Sequence, residues 1–161
     1  MTAEKDYTEA KKLIAECDGE FIDLSELENL ETIPPEIADF SELRRLDLSC
    51  TTITDLRPIA DLPQLEELDC LGLEELCDVS PLSELEHLQK LDLCACPVAD
   101  LSPLGNILSL RELDCSGSKV TDLSALGELS NLAWLDIAGS PIENLSTVSY
   151  THLTLPTILR V

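Results

Sequence analysis

The feature that most constrains this chain is a period. One pattern opens at Leu43, Leu65, Leu88, Leu110 and Leu132, in steps of 22, 23, 22 and 22 residues. Each unit begins with LxxLDL or a near variant: LRRLDLS, LEELDCL, LQKLDLC, LRELDCS and LAWLDIA. Alternation of this kind predicts a short strand with one face buried. The inward pairs are Leu46 and Leu48, Leu68 and Cys70, Leu91 and Leu93, Leu113 and Cys115, and Leu135 and Ile137. A turn of small residues follows, as in Ser49 to Thr52 or Ser116 to Lys119. One apolar residue then returns inward: Ile53, Leu76, Val98, Val120 or Ile142.

The second half of each unit reads DLxPL or similar. Ser80 before Pro81 and Ser102 before Pro103 read as an N-cap followed by the first helical residue. The span left before the next Leu is too short for an ordinary α-helix, so a single turn is expected, 3-10 in places. The one-residue insertion lies near Gly72 to Glu75.

A lone unit of this size has no second layer to cover its apolar edge. Stacked units bury every Leu row in one continuous core, with the strands forming a parallel sheet and the helical turns the opposite side. Composition agrees. Hydrophobic residues make up 44% of the chain but aromatic ones only 3%, which suits thin aliphatic layers rather than one thick core.

The unit resembles the short class of leucine-rich repeats, as in internalins and many bacterial repeat proteins. The resemblance runs over roughly residues 20 to 147. It implies an α/β fold: a leucine-rich-repeat solenoid with a parallel, concave strand face and short helical or 3-10 turns on the convex side. The sequence departs from that class at one position. Where the class carries a ladder of Asn, this chain has Thr51, Leu73, Cys96, Ser118 and Ser140. Hydroxyls and thiols still meet backbone groups in the turn, less completely than an amide does. Leu73 has no polar atom to offer, so a local distortion is expected there.

Residues 1 to 19 are expected to form an N-terminal cap. Over residues 3 to 17, Tyr7, Ala10, Leu13, Ile14 and Cys17 share one helical face, and Gly19 is the stop. Residues 20 to 147 form the solenoid: an irregular first repeat with Ile22 and Leu24 inward, then five regular ones, the last incomplete. The stretch VSYTHLTLPT, residues 148 to 157, has no place in this register. It resembles a translated sequencing adapter of the transposase type. Residues 148 to 161 are therefore set aside as a non-native tail, and the natural chain is expected to continue past Thr147.

The residues flanking the inward Leu positions project from the strand face in three columns. The first is Arg45, Glu67, Lys90, Glu112 and Trp134; the second is Asp47, Asp69, Asp92, Asp114 and Asp136. The third is Ser49, Leu71, Cys94, Ser116 and Ala138. The alternating signs of the first column predict a cross-strand ion ladder from Arg45 to Glu112. Trp134, the only Trp, is expected to stand exposed at its end. Exposed Trp is enriched at binding hot spots. Neighbouring Asp charges about 4.8 Å apart repel by roughly 1 kcal/mol in water, and such a stack attracts Lys or Arg from a partner. The first two columns together are the candidate partner-binding residues. A straight column does not wrap a calcium ion, which takes about six to eight oxygens, so no metal is expected. A second Asp set, Asp55, Asp78, Asp100 and Asp122, is expected to hold backbone N–H groups before each helical turn. Cys70 and Cys115 are read as core residues, Cys94 and Cys96 as partly exposed, and His87 as solvated.

A net charge of −22 disfavours a phosphate backbone as partner. Residues 1 to 20 lack a signal-peptide pattern, and no apolar run reaches transmembrane length. Seven Cys without a CxxC motif then fit a reducing, cytoplasmic setting. No nucleophile stands at a fixed offset from a base, and neither GxSxG nor a Walker-type loop is present. The expectation is an interaction module without catalysis or cofactor. Its strand face would take a protein partner with a basic or mixed surface, neither nucleic acid nor membrane. The alternative is the ligand-sensing arm of a larger bacterial signalling protein whose effector domain, Ras-like GTPase or TIR in type, is missing. That alternative rests on analogy with bacterial repeat proteins.

Overall fold

Each repeat folds as one coil of strand, tight turn, return segment and 3-10 turn. The computed structural model describes residues 2–17 and 19–143 in full, and the backbone of residues 158–160. The chain begins with helix α1 (Ala3–Glu16). Seven three-residue strands follow: β1 (Phe21–Asp23), β2 (Arg45–Asp47), β3 (Glu67–Asp69), β4 (Lys90–Asp92), β5 (Glu112–Asp114), β6 (Trp134–Asp136) and β7 (Ile158–Arg160). They form one parallel sheet in chain order. The register repeats without slip: Leu46 lies opposite Leu68, Leu68 opposite Leu91, and Leu91 opposite Leu113.

The sheet continues past Thr147. The backbone of Ile158–Arg160 pairs with β6, with Leu159 opposite Leu135. Three residues of the segment set aside from the sequence thus take a place in the register. The adapter-like stretch 148–157 lies outside the described residues.

The core is a stack of like layers. In one of them Leu88, Leu91, Leu93, Cys96, Val98, Leu101, Leu104 and Ile107 are all buried, and the next layer repeats the arrangement from Leu110 to Leu129. Burial of an aliphatic side chain of this size stabilises by about 1.5–3 kcal/mol, so the Leu rows carry the fold.

After each of β2 to β6 the chain turns through a residue with positive φ: Cys50 (58°), Gly72 (74°), Ala95 (60°), Gly117 (67°) and Gly139 (75°). The backbone N–H groups of the first four continue the inter-coil ladder. Ala95 N donates to Ser116 O at 2.8 Å and Gly117 N to Ala138 O at 2.8 Å.

The ladder position behind this turn divides by chemistry. Thr51 Oγ1 donates to Leu48 O at 2.7 Å, Cys96 Sγ to Cys70 O at 3.0 Å, and Ser140 Oγ to Cys115 O at 2.8 Å. The distortion expected at Leu73 is confined. Leu73 keeps its backbone bond to Cys70 O at 3.3 Å, and its side chain is buried in the core. The extra residue is absorbed just beyond it by a second turn, Leu76 N to Leu73 O at 3.0 Å. The first repeat uses the same device, with Leu27 N bonded to Leu24 O and Leu30 N to Leu27 O.

The far side of every complete coil is a 3-10 turn: Pro35–Asp39, Arg57–Ile59, Ser80–Glu84, Ser102–Asn106 and Ser124–Glu128. The reading of Ser80 and Ser102 as N-caps is corrected here. Val79 and Leu101 hold the cap positions, and each Ser is the first residue of its turn. The capping oxygen comes instead from the Asp two residues before. Ser80 N donates to Asp78 Oδ1, Ser102 N to Asp100 Oδ1 and Ser124 N to Asp122 Oδ1, each at 2.8 Å. The second Asp set is structural, as expected.

Helix α1 closes the open end of the stack. Ala10 and Ile14 are buried, and Tyr7, Leu13 and Cys17 pack partly buried against the core. Lys11 Nζ meets Glu36 Oε1 of the first 3-10 turn at 2.5 Å. Sequence reading missed Asp6. It is buried, and its Oδ2 accepts both the backbone and side-chain N–H of Asn29 at 3.0 Å.

Candidate partner-binding face

Parallel pairing in register turns every LDL motif into a line across the sheet. The result is a shallow trough lined by Phe21, Arg45, Glu67, Lys90, Glu112 and Trp134 along one row and by Asp47, Asp69, Asp92 and Asp114 along the next. The structure thus brings the two predicted columns together as neighbours. It also lengthens both. Phe21 stands opposite Arg45 and Asp23 opposite Asp47. These two were missed because the first repeat was read as irregular. The signal was present: FIDL in residues 21–24 aligns with RLDL in residues 45–48.

The first column makes less of an ion ladder than its signs predicted. Among the described residues only Lys90 and Glu112 pair, Nζ to Oε2 at 3.4 Å. Arg45 turns the other way, its guanidinium 5.0 Å from the centroid of the Phe21 ring, a cation–π geometry. Arg44, one residue off the column, takes Glu66 instead. Both side chains of the Lys90–Glu112 pair are about half exposed, so the pair is worth about 0–1 kcal/mol.

Trp134 is half-buried rather than exposed. It was placed at the end of its column, but β5 and β7 flank its strand on both sides. Asp136 in the same strand is buried, at 8% exposure.

The Asp column has a structural task. Each carboxylate Oδ1 accepts the backbone N–H two residues on. Ser49 N donates to Asp47 at 2.9 Å, Leu71 N to Asp69 at 2.9 Å, Cys94 N to Asp92 at 2.8 Å, Ser116 N to Asp114 at 2.8 Å and Ala138 N to Asp136 at 2.9 Å. Asp23 does the same for Ser25 at 3.0 Å. This bond fixes the tight turn that leaves each strand. It uses one oxygen and leaves the charge itself without a counter-ion. Among the described residues no Lys or Arg lies within ion-pair distance of the column. Burial pushes Asp92 up to about 6, and the charges of Asp69, Asp114 and Asp47 add to it. Asp69 is raised for the same reasons, burial first.

Cys94, in the third column, brings its thiol near Asp92 and Asp114, with one ligand atom of each within 4.8 Å of the others. Both carboxylates in this group already serve the turns. Cys96 is fully buried and not partly exposed, because its side chain points into the core and bonds Cys70 O.

Similarity to known proteins follows the same geometry. The family model described as leucine-rich repeats (two copies) matches residues 41–84. An internalin C2 from Listeria monocytogenes aligns with a TM-score of 0.67 and 31% identity over 85% of this chain and 66% of that one. The chain is a leucine-rich-repeat protein. A second Listeria internalin, inlF, aligns with a TM-score of 0.74 and 27% identity over 81% of this chain and 38% of that one. A leucine-rich-repeat protein from Leptospira interrogans shares the fold, with a TM-score of 0.71 at 23% identity over 83% of this chain and 35% of that one. This leucine-rich-repeat chain therefore spans between about a third and two thirds of these structures. A search of curated proteins found no match. Leucine-rich-repeat proteins of this kind are generally binding modules rather than catalysts, and the repeat fold fits protein–protein interaction in general.

Proposed function

We propose that this chain is a protein-interaction module that binds its partner through the strand face and performs no catalysis of its own. The observation that carries the reading is the trough itself. It is a continuous, solvent-facing strip that holds two aromatic residues, Phe21 on β1 and Trp134 on β6, with uncompensated carboxylates between them. A few hot-spot residues carry most of the binding energy at protein interfaces, and Trp is enriched among them. The charge calls for a partner surface that is basic or carries basic patches.

The two faces of the solenoid give the test. A photo-crosslinking side chain at Glu67 samples the trough, and one at Glu86 samples the 3-10 side. With the whole chain expressed in its source cell, a discrete protein adduct is expected from position 67 and not from 86. It should fade when Phe21→Ala and Trp134→Ala are combined with circular dichroism unchanged. Equal adducts from both faces would overturn the reading.

A reducing, cytoplasmic setting belongs to the same proposal. Its support is that all seven cysteines are free thiols, three of them buried in the core. Among the described residues no helix is long and apolar enough to cross a membrane.

A further inference from the structure

The strand face carries a charge pattern with a definite pitch. One Asp stands on each strand from β1 to β6, and parallel strands lie about 4.8 Å apart. Asp136 on β6 is buried, so the array presents a carboxylate about every 4.8 Å from Asp23 to Asp114, a run of about 19 Å. The cations nearest to it are already engaged: Arg45 lies over Phe21, and Lys90 pairs with Glu112. Apolar rings flank the accessible carboxylates: Phe21, at 44% exposure, on β1 and half-buried Trp134 on β6, with β7 beyond it.

We propose that this face is built for a cationic amphipathic α-helix laid across the strands, with Lys or Arg on its inner stripe and an apolar residue toward each end. The inference rests on the interaction reading above and names the partner's chemistry. Pitch decides between partner conformations. Same-side residues of an extended peptide recur about every 6.7 Å. Against the Asp array they fall out of step by about 2 Å per strand and fail by the third. One stripe of an α-helix recurs every 3.5 to 3.6 residues, about 5.3 Å along its axis. It lags by about half an ångström per strand, a total of about 2 Å over the array, which the flexible stems of Lys and Arg take up. The carboxylate span of about 19 Å corresponds to about 13 helical residues. Phe21 on β1 and Trp134 on β6 stand about 24 Å apart, so a helix of about 16 residues places an apolar residue near each ring.

The test uses two synthetic 18-residue peptides of identical composition, each with Leu near both ends. In one the Lys residues recur at alternate steps of three and four; in the other they alternate every second residue. Both are titrated by fluorescence anisotropy against the full chain at 50 and 300 mM NaCl. The helix-patterned peptide is expected to bind at least about ten-fold tighter at low salt, to weaken at high salt and to gain helicity when bound. The combined Asp69→Asn, Asp92→Asn and Asp114→Asn variant keeps the turn acceptors and should lose that binding with its dichroism spectrum intact. Phe21→Ala should weaken it several-fold. Equal affinity for both peptides would overturn the helical inference and leave a basic partner standing. Binding unchanged in the triple variant would overturn it by placing the peptide elsewhere. Absence of binding by either peptide would also overturn it, and the interaction reading would then be decided separately by crosslinking at position 67.

Discussion

The Asp92 carboxylate accepts the backbone N–H of Cys94 at 2.8 Å while carrying a charge that its neighbours oppose. The hydrogen bond and the charge are separable. Asp92→Asn keeps the Oδ1 acceptor and removes the charge, so it should raise Tm at pH 7. Asp92→Ala removes the acceptor as well and should forgo about 0.5–1.5 kcal/mol of the turn's bonding. The pH dependence follows from the sign of the shift. With a folded-state value of about 6, above the usual carboxylate value of 3.8, the native state binds more protons than the unfolded state between those limits. The stability this group contributes therefore rises as pH falls through that window. The advantage of Asp92→Asn should shrink from pH 7 toward pH 4. An advantage that stays constant in thermal melts across that range would refute the account.

The left-handed turn residue offers a cleaner change. Ala95 holds φ of 60° where Gly117 holds 67° one coil later. A left-handed backbone costs an L-residue about 1–2 kcal/mol, and glycine avoids that while adding about 0.4–1 kcal/mol of unfolded-state entropy. Ala95→Gly should therefore stabilise by about 0.5–1 kcal/mol in urea titration with an unchanged slope. Gly117→Ala should destabilise by a similar amount. The new Cβ would meet Ala95 Cα at 3.7 Å, an ordinary contact, so the penalty lies in the backbone and not in a clash.

Periodicity made the fold legible because each coil contacts only its neighbours, and one good repeat predicts all the others. The inward residues, the two outward columns and the second Asp set all followed from spacing. What spacing did not carry was the choice each side chain makes among equal neighbours. Arg45 took the ring of Phe21 over the carboxylate of Glu67, and Asp6 found Asn29 across 23 residues of sequence. Both depend on the first repeat, whose irregular spacing hid its FIDL core. The double task of the Asp column was also hidden. An Asp in LDL reads as surface charge until the chain is seen to turn back onto it.

The seven thiols should separate by burial. Cys50 and Cys77 are exposed, Cys17 and Cys94 half-buried, and Cys70, Cys96 and Cys115 buried. Burial pushes Cys96 up to about 11 and Cys115 up to about 12, and Cys70 well above the usual thiol range. Since the thiolate is the reactive form, these three should resist iodoacetamide at pH 8 until the protein is unfolded. Intact-mass spectra of the native protein should show Cys50 and Cys77 modified first. Early labelling of Cys70 or Cys115 would mean that the layers open far more readily than their packing implies.

The terminal helix should come away before the repeats do. In a stack where each layer touches only its neighbours, an end element is held by one interface. For α1 that interface is Ala10 and Ile14 against the core, the Lys11–Glu36 pair, and Asp6 bonded twice to Asn29. Asn29 holds the Asp6 carboxyl below the usual carboxylate range. The stability it contributes is therefore present above about pH 4 and is lost as pH falls through its folded-state value. Asp6→Ala should speed amide exchange throughout Ala3–Glu16 while leaving the amides of β3 to β5 protected. Wild-type protein should show the same selective loosening, growing as pH is lowered below about 4. Loss of protection spread evenly over all strands would instead make the helix part of the cooperative unit, and Asp6 a support for the whole stack.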